Sequence, residues 1–159
     1  MMDHLLFGLT RNKRSNTDFI TRIFKARITR IKTFNMTEII LKEESYQLIG
    51  ICMEVHRELG MGFKEIVYKD ALEYEFKTKN IPYIREKEYK INYKEIILPH
   101  RYNADFIVYG SIILEVKASY IIVNNFVKQT INYLKASGLQ LGIIANFGEP
   151  SFVSKRVVF

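Results

Sequence analysis

The stretch from Ala104 to Ala118, A-D-F-I-V-Y-G-S-I-I-L-E-V-K-A, constrains this chain more than any other part of it. Two apolar, β-forming runs flank Tyr109-Gly110, which is the pattern of a hairpin. Side chains alternate across a strand, so Ile112, Leu114, Val116 and Ala118 share one face and Glu115 and Lys117 the other. Asp105 is the lone charge of the preceding run. Charges inside apolar strands carry a desolvation cost and call for an explanation. Asp105 and Glu115 are equidistant from Gly110 and are expected to lie opposite each other. For both to share a face, the loop needs an odd count or a bulge, for which Gly110 can supply the positive φ.

Two facing carboxylates repel unless a cation lies between them or one is protonated. Mg²⁺ takes oxygen ligands in octahedral geometry and keeps several waters. Asp105 and Glu115, with the Val116 carbonyl, are candidates for one face of such a shell. Lys117 would then orient or help deprotonate a nucleophile and steady phosphate charge. The plainer reading of the same residues is a cross-strand ion pair between Lys117 and one carboxylate.

Other candidates lie on helical segments. Gln129 and Tyr133 are i and i+4, on one helix face, and reach the same site if that helix crosses the strand ends. Otherwise Tyr133 is core and Gln129 a solvated polar residue. Glu65 and Tyr68 lie one turn apart at a helix start. There Glu65 either complements the helix dipole or adds a carboxylate near the metal, and Tyr68 either packs or contacts phosphate. His56 and Arg57, near the end of an earlier helix, either complement its C-terminal dipole or bind substrate phosphate. Arg101, with Lys128 and Lys117, is a candidate local basic surface.

The rest of the chain supplies a frame. Leu48, Ile49, Cys52, Val55 and Leu59 recur at helical spacing within Glu44 to Leu59, and Gly60 and Gly62 end that run. Lys64 to Lys79 is a second expected helix, with Val67, Ala71, Leu72 and Phe76 inward, stopped by Asn80 and Pro82. Tyr83 to Tyr93 alternates as a half-exposed strand does, and Asn92 to Glu95 is a turn. Ile96 to Leu98 and Tyr102 to Val108 are strand-like, with an interruption near Pro99. Asn124 to Ala136 is a third helix with Gly138 as its C-cap. Leu139 to Asn146 is an apolar, interior strand, and Phe152 to Phe159 is a candidate edge strand. The order α-α-β-β-β-α-β, with room for one more strand, points to a mixed sheet flanked by helices.

Charge divides the chain in two. The formal net charge is +7 over 159 residues. Residues 1–35 hold eight basic and two acidic side chains, which leaves 16 basic and 15 acidic residues in 36–159. The body is therefore nearly neutral, and the pI by itself says little about a partner. Three readings of the basic segment stay open. It is an extension outside the fold, with Met36 as the working first residue; a basic amphipathic helix touching nucleic acid or membrane; or a cleaved organelle-targeting segment. No apolar run approaches the roughly 18–20 residues of a membrane helix. Cys52 is the only cysteine, which removes intramolecular disulfides and Cys-based zinc sites and fits a reducing, cytoplasmic setting. His4, His56 and His100 follow no metal-ligand spacing, which favours hard-metal carboxylate chemistry over zinc.

Taken in order, Glu65, Asp105, Glu115-x-Lys117 and Gln129-x-x-x-Tyr133 resemble the PD-(D/E)XK nuclease superfamily, in its RecB-like branch. Within it, Gly62-x-x-Glu65-x-x-Tyr68 resembles the signature of the GxxExxY proteins. Glu54-Val-His56-Arg57-Glu58-Leu-Gly60, Tyr102-x-Ala-Asp105 and Leu141-Gly142 to Asn146-Phe147-Gly148 are similar as well. The resemblance covers roughly Glu44 to Val158 and leaves out residues 1–35, so 36–159 forms the expected nuclease-like domain. It implies a restriction-endonuclease-like α/β core, a four-stranded mixed sheet flanked by helices. It also implies Asp105 and Glu115 as ligands of Mg²⁺ or Mn²⁺, Lys117 as the catalytic lysine, Glu65 as a helix-borne acid, and Gln129 and Tyr133 as supporting residues. One position departs from the pattern: Ala104 stands where proline precedes the aspartate. The implied function is hydrolysis of phosphodiester bonds in DNA or RNA. A catalytically silent nucleic-acid-binding or regulatory module on the same fold is the competing expectation.

Overall fold

The computed structural model describes residues 39–159. The readings of the basic segment, and of Met36 as a start, lie outside the described residues. Within them the order is α1 (Lys42–Leu59), α2 (Glu65–Thr78), β1 (Tyr83–Tyr93), β2 (Ile96–Val108), β3 (Ile112–Lys117), α3 (Asn124–Ser137), β4 (Leu141–Asn146) and β5 (Val153–Val158). The strands form one mixed sheet in the order β1-β2-β3-β4-β5. Only β3 and β4 run parallel; the other neighbours are antiparallel. A parallel pair needs a crossover, and α3 supplies it. The expected edge strand is present as β5, so the sheet has five strands rather than four.

Alternation along the strands feeds two cores. Phe106, Val108, Ile112, Leu114, Val116, Leu141, Ile143 and Ala145 pack with Leu48, Ile51, Cys52 and Val55 of α1 and Tyr68, Leu72 and Phe76 of α2. Ile107, Ile113, Ile144 and Val157 pack on the other side with Tyr133 and Leu134 of α3. Covered on both sides, β3 and β4 are buried at every residue, which is why their sequences are apolar nearly throughout. Thr130 of α3 seats closely on β4: a Cβ at Gly142 would come within 2.3 Å of its Cγ2.

The expected break at Pro99 is not a break. β2 runs through it as a single strand. Its register against β1 shifts there, since Arg101 faces Lys90 while Ile97 faces Asn92. The extra residues of β2 form an irregularity around a proline that has no ladder N–H to give, where a sheet tolerates proline.

Candidate active site

β2 and β3 pair through only three positions, Val108 with Ile112, Ile107 with Ile113 and Phe106 with Leu114. Tyr109 and Gly110 turn the chain with φ 55 and 65, and Ser111 N–H donates to Val108 O at 3.2 Å. Positive φ at both central residues matches the twist of the flanking strands. The loop of Tyr109, Gly110 and Ser111 has the odd count that sets Asp105 opposite Glu115. At that position the ladder ends and the two carboxylates take over its hydrogen bonds. Val116 N–H donates to Asp105 Oδ2 at 2.8 Å, and Asp105 N–H donates to Glu115 Oε1 at 3.3 Å.

Glu115 is only 2% exposed. Burial first, and then the facing charge of Asp105, push its carboxyl up to about 8, against the pull of Lys117 and of the Asp105 N–H. Lys117 is also buried. Its Nζ lies 3.6 Å from Glu115 Oε2 and 5.4 Å from the centre of the Phe126 ring of α3, a cation–π contact. Gln129 and Tyr133 share a face of α3 as their spacing implies: Gln129 Nε2 donates to Tyr133 OH at 2.7 Å. Burial and the negative charge of Glu115 raise the Tyr133 phenol to about 12. Tyr133 therefore stays protonated beside the carboxylates, with Tyr102 packed edge-on at 5.7 Å.

Two residues that the pattern did not single out complete the charge set. Lys69 of α2 places Nζ 2.8 Å from Asp105 Oδ1 and 2.7 Å from Glu86 Oε1 of β1. Burial opposes its charge, but the hydrogen bonds to Asp105 and Glu86 outweigh it and raise its pKa. Glu65, half-buried in the first turn of α2, lies one turn before Lys69 on the same helix face. Its sequence signal could have pointed to Lys69 by that i, i+4 spacing alone. Glu86 has φ 52, and no propensity argument marks a glutamate for the left-handed region.

Not every candidate is brought to this place. Tyr68 is fully buried and stacks on Phe147 at 4.5 Å. Its hydroxyl donates to Gly60 O at 2.8 Å and accepts from Phe63 N–H at 3.2 Å. With Gly62 at φ 109, it closes the α1–α2 turn rather than facing a phosphate. His56 is buried between Phe147 and Phe152, and its Nε2 donates to Glu149 O at 2.9 Å. Burial there corrects the expectation of a phosphate contact. Arg57 is exposed and lies 3.7 Å from Glu58. Arg101 donates to Leu98 O and to His100 O and lies 3.7 Å from Glu88. Four residues of strand, roughly 13 Å, separate it from Asp105, so it belongs to the hairpin end and not to the carboxylates.

The end of β3 is held by β4. Asn146 Oδ1 accepts from Ser119 N–H at 3.0 Å and Nδ2 donates to Ser119 O at 2.7 Å. Phe147 N–H donates to Lys117 O at 2.7 Å. The Asn146-Phe147-Gly148 run is thus a clamp on the backbone just beyond Lys117.

The model of the PD-(D/E)XK nuclease superfamily matches residues 42–157. This chain belongs to that superfamily. No curated protein matches the chain. Among solved structures, one described as "Crystal structure of SSO0001" is similar at 21% identity with a TM-score of 0.48. The similarity covers 58% of this chain, which spans about half (48%) of that protein's length.

Whether a divalent ion fits rests on the donor set. Among the described residues no group of three or more His, Cys, Asp and Glu side chains stands ready for a metal. The protein donors here are two hard carboxylates, the complement of an ion that keeps most of its waters. A divalent cation would also offset the burial and the facing Asp105 charge that together raise the Glu115 carboxyl to about 8. Asp105 and Glu115 fit such an ion.

Proposed function

We propose that this chain is a metal-dependent nuclease that hydrolyses phosphodiester bonds in DNA or RNA, of the GxxExxY type within the RecB-like branch. The observation that carries the proposal is the buried Glu115–Lys117 pair, set opposite Asp105 where the β2–β3 ladder stops. Desolvating two carboxylates and an amine together costs too much to be an ordinary surface ion pair.

In this reading Asp105 and Glu115 hold Mg²⁺ or Mn²⁺. Bound there, the ion supplies Lewis-acid stabilisation of charge developing on the phosphate and lowers the pKa of a water nucleophile. Lys117, fixed between Glu115 and the Phe126 ring, orients the nucleophile and places its ammonium toward the phosphate oxygens. Tyr133, protonated and aligned by Gln129, donates a hydrogen bond at the same place. Glu65 approaches from the start of α2. Tyr68 and His56 support the site from behind, through the α1–α2 turn and the Glu149 loop. Arg57 remains a candidate for substrate contact.

The competing reading is a silent nucleic-acid-binding or regulatory module. It draws on the nearly neutral charge of 36–159, since nucleic-acid affinity rests on basic contacts to phosphate. Among the described residues no helix is long and apolar enough to cross a membrane.

The test is Mn²⁺ and Mg²⁺ calorimetry on wild type, Asp105→Ala and Lys117→Ala, alongside cleavage of labelled single- and double-stranded DNA and RNA. Metal binding lost in Asp105→Ala, with cleavage but not binding lost in Lys117→Ala, supports the nuclease. Nucleic-acid binding without metal uptake or cleavage in wild type puts the silent module in its place.

A further inference from the structure

Lys69 stands where no cleavage chemistry requires it. Its ammonium takes Asp105 Oδ1 at 2.8 Å and Glu86 Oε1 at 2.7 Å. The other oxygen of Asp105 is committed to Val116 N–H. The contact with Lys69 therefore falls on the oxygen that is free of the sheet. Exposure rises steeply along the chain of charges, from 12% for the Asp105 side chain and 13% for Lys69 to 50% for Glu86. Glu86 marks the way out toward solvent.

The placement of Glu86 is itself unusual. Arg85 faces Phe106 and Lys87 faces Ala104, which puts Glu86 at the register position across from Asp105. It adopts φ 52 there. A non-glycine residue in the left-handed region carries strain, which persists only where its surroundings hold it and which clusters at functional sites. The strained residue is the one whose carboxylate gives Lys69 a second partner.

We propose that Lys69 is a resident counter-cation that takes the metal position on Asp105 and is exchanged for the divalent ion, retreating onto Glu86. The proposal rests on the reading of Asp105 and Glu115 as metal ligands. In the metal-free protein, Lys69 neutralises Asp105 and lets the buried carboxylates coexist. On exchange the ammonium keeps one ion pair, with Glu86, so its displacement leaves no unpaired buried charge. Lys69 thereby sets how tightly the site holds metal, and Glu86 sets how readily Lys69 gives way.

The experiment is calorimetric titration of Mn²⁺ and Mg²⁺ into wild type, Lys69→Met, Glu86→Gln and the double variant, with thermal melts of each metal-free protein. The exchange breaks the Lys69–Asp105 contact, which Lys69→Met lacks from the start. Lys69→Met should therefore bind metal roughly tenfold more tightly, about 1.4 kcal/mol for a charge-assisted hydrogen bond, although its metal-free form melts lower. Glu86→Gln should bind more weakly, because Lys69 is left with Asp105 alone. In the Lys69→Met background, Glu86→Gln should have no effect, a non-additivity that a merely structural role would not give. If wild type binds metal and Lys69→Met binds it equally or more weakly, Lys69 is a fixed support and the exchange is wrong, while the nuclease reading stands. If neither wild type nor Lys69→Met takes up metal, the ligand assignment itself falls and the exchange falls with it. Should Lys69→Met not fold, Glu86→Gln decides alone, and equal or tighter binding there overturns the proposal.

Discussion

Gly148→Ala tests the tightness of the clamp beyond Lys117. A Cβ at Gly148 would lie 2.3 Å from Ser119 N, 2.5 Å from Ser119 O and 2.6 Å from Ala118 C. Ordinary contact for carbon is about 3.5–4.0 Å, so the two backbones must part by about 1 Å. All the atoms met are backbone, and no rotamer change can relieve the overlap. The parting falls on the hydrogen bonds between Asn146 and both backbone groups of Ser119. Overpacking of this kind costs about 1–3 kcal/mol, and each broken hydrogen bond adds about 1 kcal/mol. The expected loss is about 3–5 kcal/mol, read from the urea midpoint at constant m-value. Gly50→Ala is the contrast: it sits inside α1 with nothing within 4 Å of a Cβ and should stabilise by about 0.5–1 kcal/mol. A Gly148→Ala variant within about 1 kcal/mol of wild type would refute the clamp and the placement of Lys117 that depends on it.

Three further outcomes follow from the site. The Glu115 carboxyl is raised from 4.5 to about 8 in the folded protein, so between those values the folded state binds more protons than the unfolded one. Stability of the metal-free protein should therefore be greatest at the acid end of that window and fall as pH rises toward about 8, with the fall absent in Glu115→Gln; urea melts at three pH values check it. Saturating Mg²⁺ should flatten the same slope, with proton release measured by calorimetry in two buffers. Tyr68→Phe leaves the stacking on Phe147 but orphans Phe63 N–H and Gly60 O. It should cost about 1–2 kcal/mol in stability with metal affinity unchanged, and a large change in metal affinity would return Tyr68 to the site.

The helices were legible because their apolar residues recur at 3–4-residue steps, and the hairpin because lone charges in apolar strands mark both its faces and its register. Strand alternation and i, i+4 spacing show which of Asp105, Glu115, Lys117, Gln129 and Tyr133 can meet, but the same spacing also fits a plain ion pair and a core tyrosine, and it was the family resemblance that gathered the five into one site. His56 and Tyr68 lie where two readings coincide. A histidine at a helix C-terminus satisfies the dipole whether or not it meets a ligand, and only tertiary packing on Phe147 and Phe152 decides. The Gly62-x-x-Glu65-x-x-Tyr68 run reads as chemistry, yet its glycine and tyrosine close a turn. Lys69 was only half legible: it follows Glu65 at i, i+4. α2 carries many charges, and its sequence does not say which of them reaches the carboxylates. Glu86 was hidden by its backbone, for nothing in an alternating strand marks one residue as left-handed.

In the proposed nuclease, Asp105 and Glu115 would do two jobs with the same atoms. They accept the N–H groups of Val116 and Asp105 at the point where β2 and β3 separate, so the hairpin borrows its last rungs from the two proposed metal ligands. If the proposed nuclease reading holds, a descendant that abandoned cleavage would still be selected to keep both acids for the hairpin, and their persistence says little about whether it still cuts. Lys117 makes no such ladder contact: among the described residues its ammonium meets Glu115 and the Phe126 ring. Under the proposed nuclease reading, loss of Lys117 would mark a retired enzyme, and Lys117→Ala would test cleavage with the ladder hydrogen bonds kept, at the cost of leaving Glu115 without its buried partner.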